Sequence, residues 1–281
     1  MPDIGLNTWL YCSFPTWTPS YTLERAIEHV GRNGYDTIEL GAASPHAWPP
    51  YMTDSRIATI RGALDDSDLD VASVCPALGG GPGPNPASSL QAERAAAREH
   101  YLGCLDVAEA FDAPIVIWVG GWHFGDQHYE DAWANMQSVL ADVAGEAETR
   151  ELTIAIEATP ADSNLIDTPD DQLRLLNEVD ADSLGVMFDT YHALARGDSP
   201  TRYVDRLEDH LVHMHLADTD RLPPGDGEHS FRPMLDRLAE SGYDGSYTVE
   251  IFGDHLDPDE AAWNARRNLA SMLDAVEPGP E

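Results

Sequence analysis

Thr153-Ile154-Ala155-Ile156-Glu157 is a short run that closes on a carboxylate, and three later runs likewise close on a side chain able to bind a metal: Gly185-Val186-Met187-Phe188-Asp189, Val212-His213-Met214-His215 and Tyr247-Thr248-Val249-Glu250. Side chains alternate along a strand, so Glu157 shares a face with Thr153 and Ala155 while Ile154 and Ile156 point the other way. The same parity groups Asp189 with Gly185 and Met187, and Glu250 with Thr248. Val186, Phe188, Val249 and Ile251 fall on the opposite, more apolar face. In each run the polar terminal residue therefore points inward, and the branched side chains face a helical layer.

Upstream, residues 4–9, 37–40, 69–75 and 114–119 read as strands too; with 152–157, 184–189, 211–216 and 247–252 they make eight. Every gap has room for a helix and none carries a two-residue hairpin signal, which favours right-handed βα crossovers. Leu23, Ala26, Ile27 and Val30 recur at helical spacing before Gly34, as do Leu235, Leu238 and Ala239 before Gly242. Residues 87–111 form a longer helical candidate, and Met136, Val139, Leu140 and Val143 stripe residues 133–148. The fold expected is a single-domain α/β (β/α)8 TIM barrel over residues 1–276, with 277–281 as a disordered tail. The run Gly79-Gly80-Gly81-Pro82-Gly83-Pro84-Asn85-Pro86 reads as a βα loop at the barrel mouth, not as a phosphate cradle.

Composition narrows the chemistry. All 16 basic residues are Arg and none is Lys, which excludes Schiff-base, pyridoxal-phosphate, Walker-type and kinase-type lysine chemistry. A net charge of −34 in 281 residues repels nucleic acid and anionic membranes, so neither is an expected partner. Heavy acidity without Lys suggests a halophilic source, where salt screens self-repulsion. Cys12, Cys75 and Cys104 form no CxxC pair and no even set, so buried free thiols are expected. With no basic segment leading into an apolar stretch at the N-terminus and no 18-residue apolar run, the expected compartment is the cytoplasm.

Barrel enzymes gather their active sites where the strands end. Glu157, Asp189, His215 and Glu250 would meet there, and three carboxylates with one imidazole call for one divalent cation: Mn²⁺ first, or Co²⁺ or Mg²⁺. His213 shares parity with His215 but lies two residues, roughly 7 Å, deeper, and reads as a hydrogen-bonded core histidine. His192, just beyond Asp189, is placed to meet substrate, with a surface-loop histidine as the alternative. Trp9, Phe14, Trp17, Trp48, Trp122, Phe124 and Phe252 are candidates to wall a pocket for a small molecule, and about half of them are expected to line it. Arg221 is the one cationic group expected near the mouth, which counts against a phosphorylated ligand unless Arg196 or Arg232 on nearby loops reaches it.

Glu157, the run Asp189-Thr190-Tyr191-His192, His213-Met214-His215 followed by Asp218 and Arg221, Pro224-Gly225-Asp226-Gly227, and Glu250 together resemble the xylose-isomerase-like sugar isomerase/epimerase superfamily, closest to its ketose 3-epimerases. The resemblance implies a TIM barrel with Glu157, Asp189, His215 and Glu250 on one metal. It further implies that Glu157 and Glu250 double as the catalytic acid/base pair, and that His192 and Arg221 contact the oxygens of a small-molecule sugar. Departures matter: the Lys of true xylose isomerases has no counterpart here. The superfamily's DNA-repair endonucleases bind further metals through an Asp-x-His pair, whereas this chain reads Asp226-Gly227-Glu228-His229 and has no His at the tip Val119-Gly120-Gly121-Trp122.

The reaction expected is C3 epimerisation of a ketose through a cis-enediolate, two opposed carboxylates handling the proton on opposite faces. Aldose–ketose isomerisation, an inosose-type dehydration and a non-catalytic sugar-binding barrel are the alternatives. The sequence leaves homo-oligomerisation open.

Overall fold

The computed structural model describes residues 2–16, 18–78 and 83–276. Eight parallel strands close on themselves in sequence order: β1 (Ile4–Asn7), β2 (Thr37–Ala42), β3 (Asp70–Pro76), β4 (Ile115–Val119), β5 (Thr153–Glu157), β6 (Leu184–Asp189), β7 (Leu211–Leu216) and β8 (Tyr247–Val249). Around them lie α1 (Leu23–Arg32), α2 (Asp54–Ser67), α3 (Gln91–Ala110), α4 (Tyr129–Thr149), α5 (Pro169–Val179), α6 (Thr190–Ala195), α7 (Pro200–Leu207), α8 (Arg232–Ser241) and α9 (Pro258–Asp274). Pairing of β1 with β8 completes the ring, so the expected (β/α)8 barrel is the observed one. The Gly242 expected to stop a helix is the left-handed residue that ends α8.

Strand parity divides the core in two. Ile154, Ile156, Val186, Phe188 and Val249 belong to the large apolar layer shared with the helices. Ala155, Met187, Ile117, Cys75 and Trp9 fill the barrel interior. Two strands end earlier than expected. β1 stops at Asn7 because its Oδ1 accepts the Trp9 amide at 2.8 Å and turns the chain into a 3₁₀ turn, Thr8–Tyr11. The turn lays the Trp9 ring across Gly41, where an added Cβ would collide with the ring carbons, so β2 carries glycine there. β8 ends at Val249, and Glu250 follows it with its amide still bonded to Leu216 O at 3.1 Å.

All three cysteines are buried and free. Asn85, in the Pro/Gly-rich segment after β3, binds both the N–H and the C=O of Trp122, tying that loop to the one after β4. Part of the segment, residues 79–82, and the tail 277–281 lie outside the described residues. Among the described residues, no helix is long and apolar enough to cross a membrane.

Candidate active site

Barrel register brings the site together. Asp189 on β6 is the pairing partner of His215 on β7, and Glu157 ends β5 beside Met187 of β6. Ligand atoms of Glu157, Asp189 and His215 consequently lie within 4.8 Å of one another, all buried. Glu250, next around the barrel, places Oε2 3.3 Å from His215 Nδ1, while Glu157 Oε1 is 3.8 Å from the same nitrogen. That nitrogen is buried and has no hydrogen-bond partner. A ring nitrogen left unbonded among carboxylate oxygens is a donor set that fits a hard-to-borderline divalent cation.

Arg221 is more deeply engaged than a loop residue reaching for substrate. It is 6% exposed, and Nη1 donates to Asp189 Oδ2 at 2.5 Å and to Glu250 Oε2 at 2.7 Å. Its guanidinium is held between the Tyr191 and Phe252 rings, 4.2 and 4.6 Å from their centroids. The loop that delivers it is organised by buried Asp218, whose carboxylate accepts the amides of Thr219, Gly225, Gly227 and His229 at 2.8 to 3.2 Å. That clamp holds Asp220 and Arg221 at φ of 58° and 57°, a left-handed conformation that non-glycine residues rarely adopt.

His192 is not a surface-loop histidine: it is buried within α6, which starts directly at Asp189 without an intervening loop. Asp189 caps that helix, its Oδ1 accepting the Tyr191 amide at 2.8 Å. His192 Nε2 lies 3.4 Å from Arg221 Nη2 and 3.5 Å from Asp162 Oδ2. Burial and the Arg221 charge push His192 down to about 3, so the ring is neutral.

The carboxylates are set in contrasting fields. Burial raises Glu157 well above the usual carboxylate range; the His215 charge offsets this in part, and Glu250 and Asp189 reinforce it. Burial acts on Glu250 in the same sense, but His215 and Arg221 outweigh it and bring Glu250 down to about 2. In the metal-free site burial opposes charge on His215, yet Glu250 and Glu39 raise it well above the usual histidine range, and a cation held at Nδ1 would displace that proton.

Above these groups opens a cavity of about 550 Å³ lined by Glu157, His192, Arg221 and Glu250 and walled by Trp9, Phe14 and Phe252 among others. Trp48, Trp122 and Phe124 do not line it, and Trp17 lies outside the described residues. Asp162, half exposed, stands at its rim.

His213 is the core histidine expected, but its partner, Glu39, escaped the sequence reading. Glu39 is fully buried on β2 and bonds His213, His215, Asn7 and Ser73. Its place in 37–40, on the Thr37 face, was the available signal: parity turns it inward.

A family model described as a xylose isomerase-like TIM barrel matches residues 27–272. Fructoselysine 3-epimerase of Escherichia coli O157:H7 is 25% identical over 236 residues, 82% of this chain and 85% of that protein. Inosose dehydratase of Lacticaseibacillus casei is 24% identical over 301 residues, 94% of each chain. Among solved structures, a D-allulose 3-epimerase from Methylomonas sp. superposes with a TM-score of 0.82 at 20% identity, over 97% of this chain and 98% of that one. At that identity the last likeness speaks for the fold alone.

Proposed function

The chain belongs to the xylose isomerase-like TIM-barrel family, and we propose that it is a divalent-metal-dependent sugar isomerase/epimerase whose reaction is the C3 epimerisation of a ketose. The observation that carries this reading is the convergence of Glu157, Asp189 and His215 donors within 4.8 Å, with Glu250 beside them and with Glu157 and Glu250 lining a cavity of about 550 Å³. The metal ligands are Glu157, Asp189, His215 and Glu250. A bound divalent cation there, Mn²⁺ in this proposal, supplies Lewis acidity that makes the C–H next to a sugar carbonyl acidic.

The chain's own residues then decide the outcome. Glu157 and Glu250 stand at the two ends of the arc formed by β5, β6, β7 and the segment after β8. From those positions one takes the C3 proton on one face of the sugar and the other returns a proton on the opposite face, inverting that carbon. Arg221 and His192 bind and orient substrate oxygens from the cavity wall. Trp9, Phe14 and Phe252 pack against C–H faces and exclude water. Among the described residues Arg221 is the one Arg lining the cavity, and it already serves two carboxylates, which supports an unphosphorylated sugar. The relatives named as a sugar 3-epimerase and an inosose dehydratase are in keeping with this chemistry. The acidic, Lys-free composition supports a halophilic source, and three buried free thiols suit the reducing cytoplasm.

The test is solvent deuterium incorporation into a panel of ketoses, followed by NMR with and without Mn²⁺. Metal-dependent label at C3 with a C3-inverted product is expected. Label at C1 or C2 with an aldose product would make the enzyme an isomerase, loss of water a dehydratase, and no label at all a binding protein.

A further inference from the structure

Beneath the proposed metal ligands lies a second polar layer, built by register. Asn7 on β1, Glu39 on β2 and Ser73 on β3 are consecutive pairing partners, so their side chains form one inward row across three strands. His213 and His215 reach that row from β7 on the other side of the barrel. Glu39 Oε1 lies 2.5 Å from Asn7 Nδ2 and 2.9 Å from His215 Nε2. Its Oε2 lies 2.5 Å from Ser73 Oγ and 3.0 Å from His213 Nε2. All five residues are fully or almost fully buried.

Glu39, His213 and His215 are close enough to be read as a cation site of their own. The hydrogen bonds argue otherwise, because both carboxylate oxygens are already occupied by donors at hydrogen-bond length. A carboxylate only accepts, so His215 must present Nε2–H to Glu39. That leaves Nδ1 of the same ring to face Glu157 and Glu250, where it has no hydrogen-bond partner. Asn7 extends the control: Nδ2 donates to Glu39 at 2.5 Å and to Glu250 Oε1 at 3.0 Å, linking Glu39 to the far side of the cluster.

We infer that Glu39 is a positioning residue for the metal centre: it fixes the orientation of the His215 ring and, through Asn7, of Glu250, so that His215 Nδ1 and the Glu250 carboxylate converge. Carboxylates that hold a ligating histidine in this way typically govern metal affinity by about 10- to 100-fold. The inference rests on the metal reading proposed above. Its effect passes through other side chains, so Glu39 touches neither substrate nor cation.

The experiment compares the unsubstituted protein with Glu39→Gln, which preserves volume, by Mn²⁺ titration calorimetry and by the visible absorption of the Co²⁺-saturated protein. Expected are a Mn²⁺ Kd weakened by about 10- to 100-fold and a shifted Co²⁺ spectrum at saturation, a change that a merely structural role would not produce. A Kd within twofold of the parent and a superimposable Co²⁺ spectrum, with only thermal stability reduced, would overturn the inference. Should Glu39→Gln not fold, ¹⁵N-histidine NMR of the unsubstituted Mg²⁺-loaded protein decides the matter. A protonated Nε2 and unprotonated Nδ1 on His215 support it, and the reverse tautomer overturns it. Failure of the unsubstituted protein to bind Mn²⁺, Co²⁺ or Mg²⁺ would instead remove the metal reading, and this inference with it.

Discussion

Asp189 and His215 are direct register partners on β6 and β7, which sets a carboxylate and an imidazole side by side at one height in the barrel. Glu157 joins them within 4.8 Å. Such a cluster gains from a cation in stability as well as chemistry. Incubation with a chelator is expected to abolish turnover and lower the unfolding temperature, and added Mn²⁺ or Co²⁺ to restore both. Full activity in protein shown to be metal-free by elemental analysis would contradict this.

Arg221 bonds Asp189 and Glu250 at once in a buried setting. Removing one partner of such a cluster leaves unpaired buried charge, typically at a cost of about 3–5 kcal/mol. Arg221→Ala is therefore expected to lower stability substantially in chelator-treated protein and much less in Mn²⁺-saturated protein, while raising KM more than it lowers kcat. An equal loss of stability with and without metal, together with unchanged kinetics, would assign Arg221 a purely structural part.

Period-two alternation made the barrel legible: Ile154 and Ile156 do face the helices, and Ala155 faces the interior. Strand-end polarity likewise marked the donors that register brings together. What escaped was the layer beneath. Glu39 sits inside a short strand, not at its tip, and its significance comes from pairing with Asn7 and Ser73 and from the approach of β7, none of which local pattern encodes. The depth of Arg221 was hidden for a similar reason: it depends on Asp218 gathering four amides from a loop that reads as ordinary turn residues.

Two histidines away from the cluster set an acid limit on stability. Burial pushes His46 and His100 down to about 4, and His100 Nε2 accepts the Ala77 amide at 3.1 Å, a bond its protonated ring cannot make. Their neutral forms contribute stability that is fully present above about pH 6.5 and is lost as pH falls through about 4, on the order of a few kcal/mol together. Thermal unfolding midpoints are expected to decline across that interval, and His100→Gln to flatten part of the decline. An unchanged pH slope in the variant would show that His100 takes no part.

The excess of 50 acidic over 16 basic residues leaves many surface carboxylates without a cationic neighbour. Raising KCl from low to molar concentration is expected to increase the unfolding temperature, because screening relieves their repulsion. Equal stability across that range would argue against a halophilic origin.

Action of Glu157 and Glu250 on opposite faces of one carbon is read from the isotopic behaviour of Glu250→Gln with Mn²⁺ bound. Loss of one general acid/base typically lowers the rate by about 10²–10⁴, so epimerisation should collapse in this variant. One C3 epimer of the substrate should nevertheless exchange its C3 proton with D₂O through Glu157 without being inverted. Near-normal inversion by metal-loaded Glu250→Gln would rule out the two-base mechanism, because Glu250 would then be a ligand only and a single base would carry the chemistry.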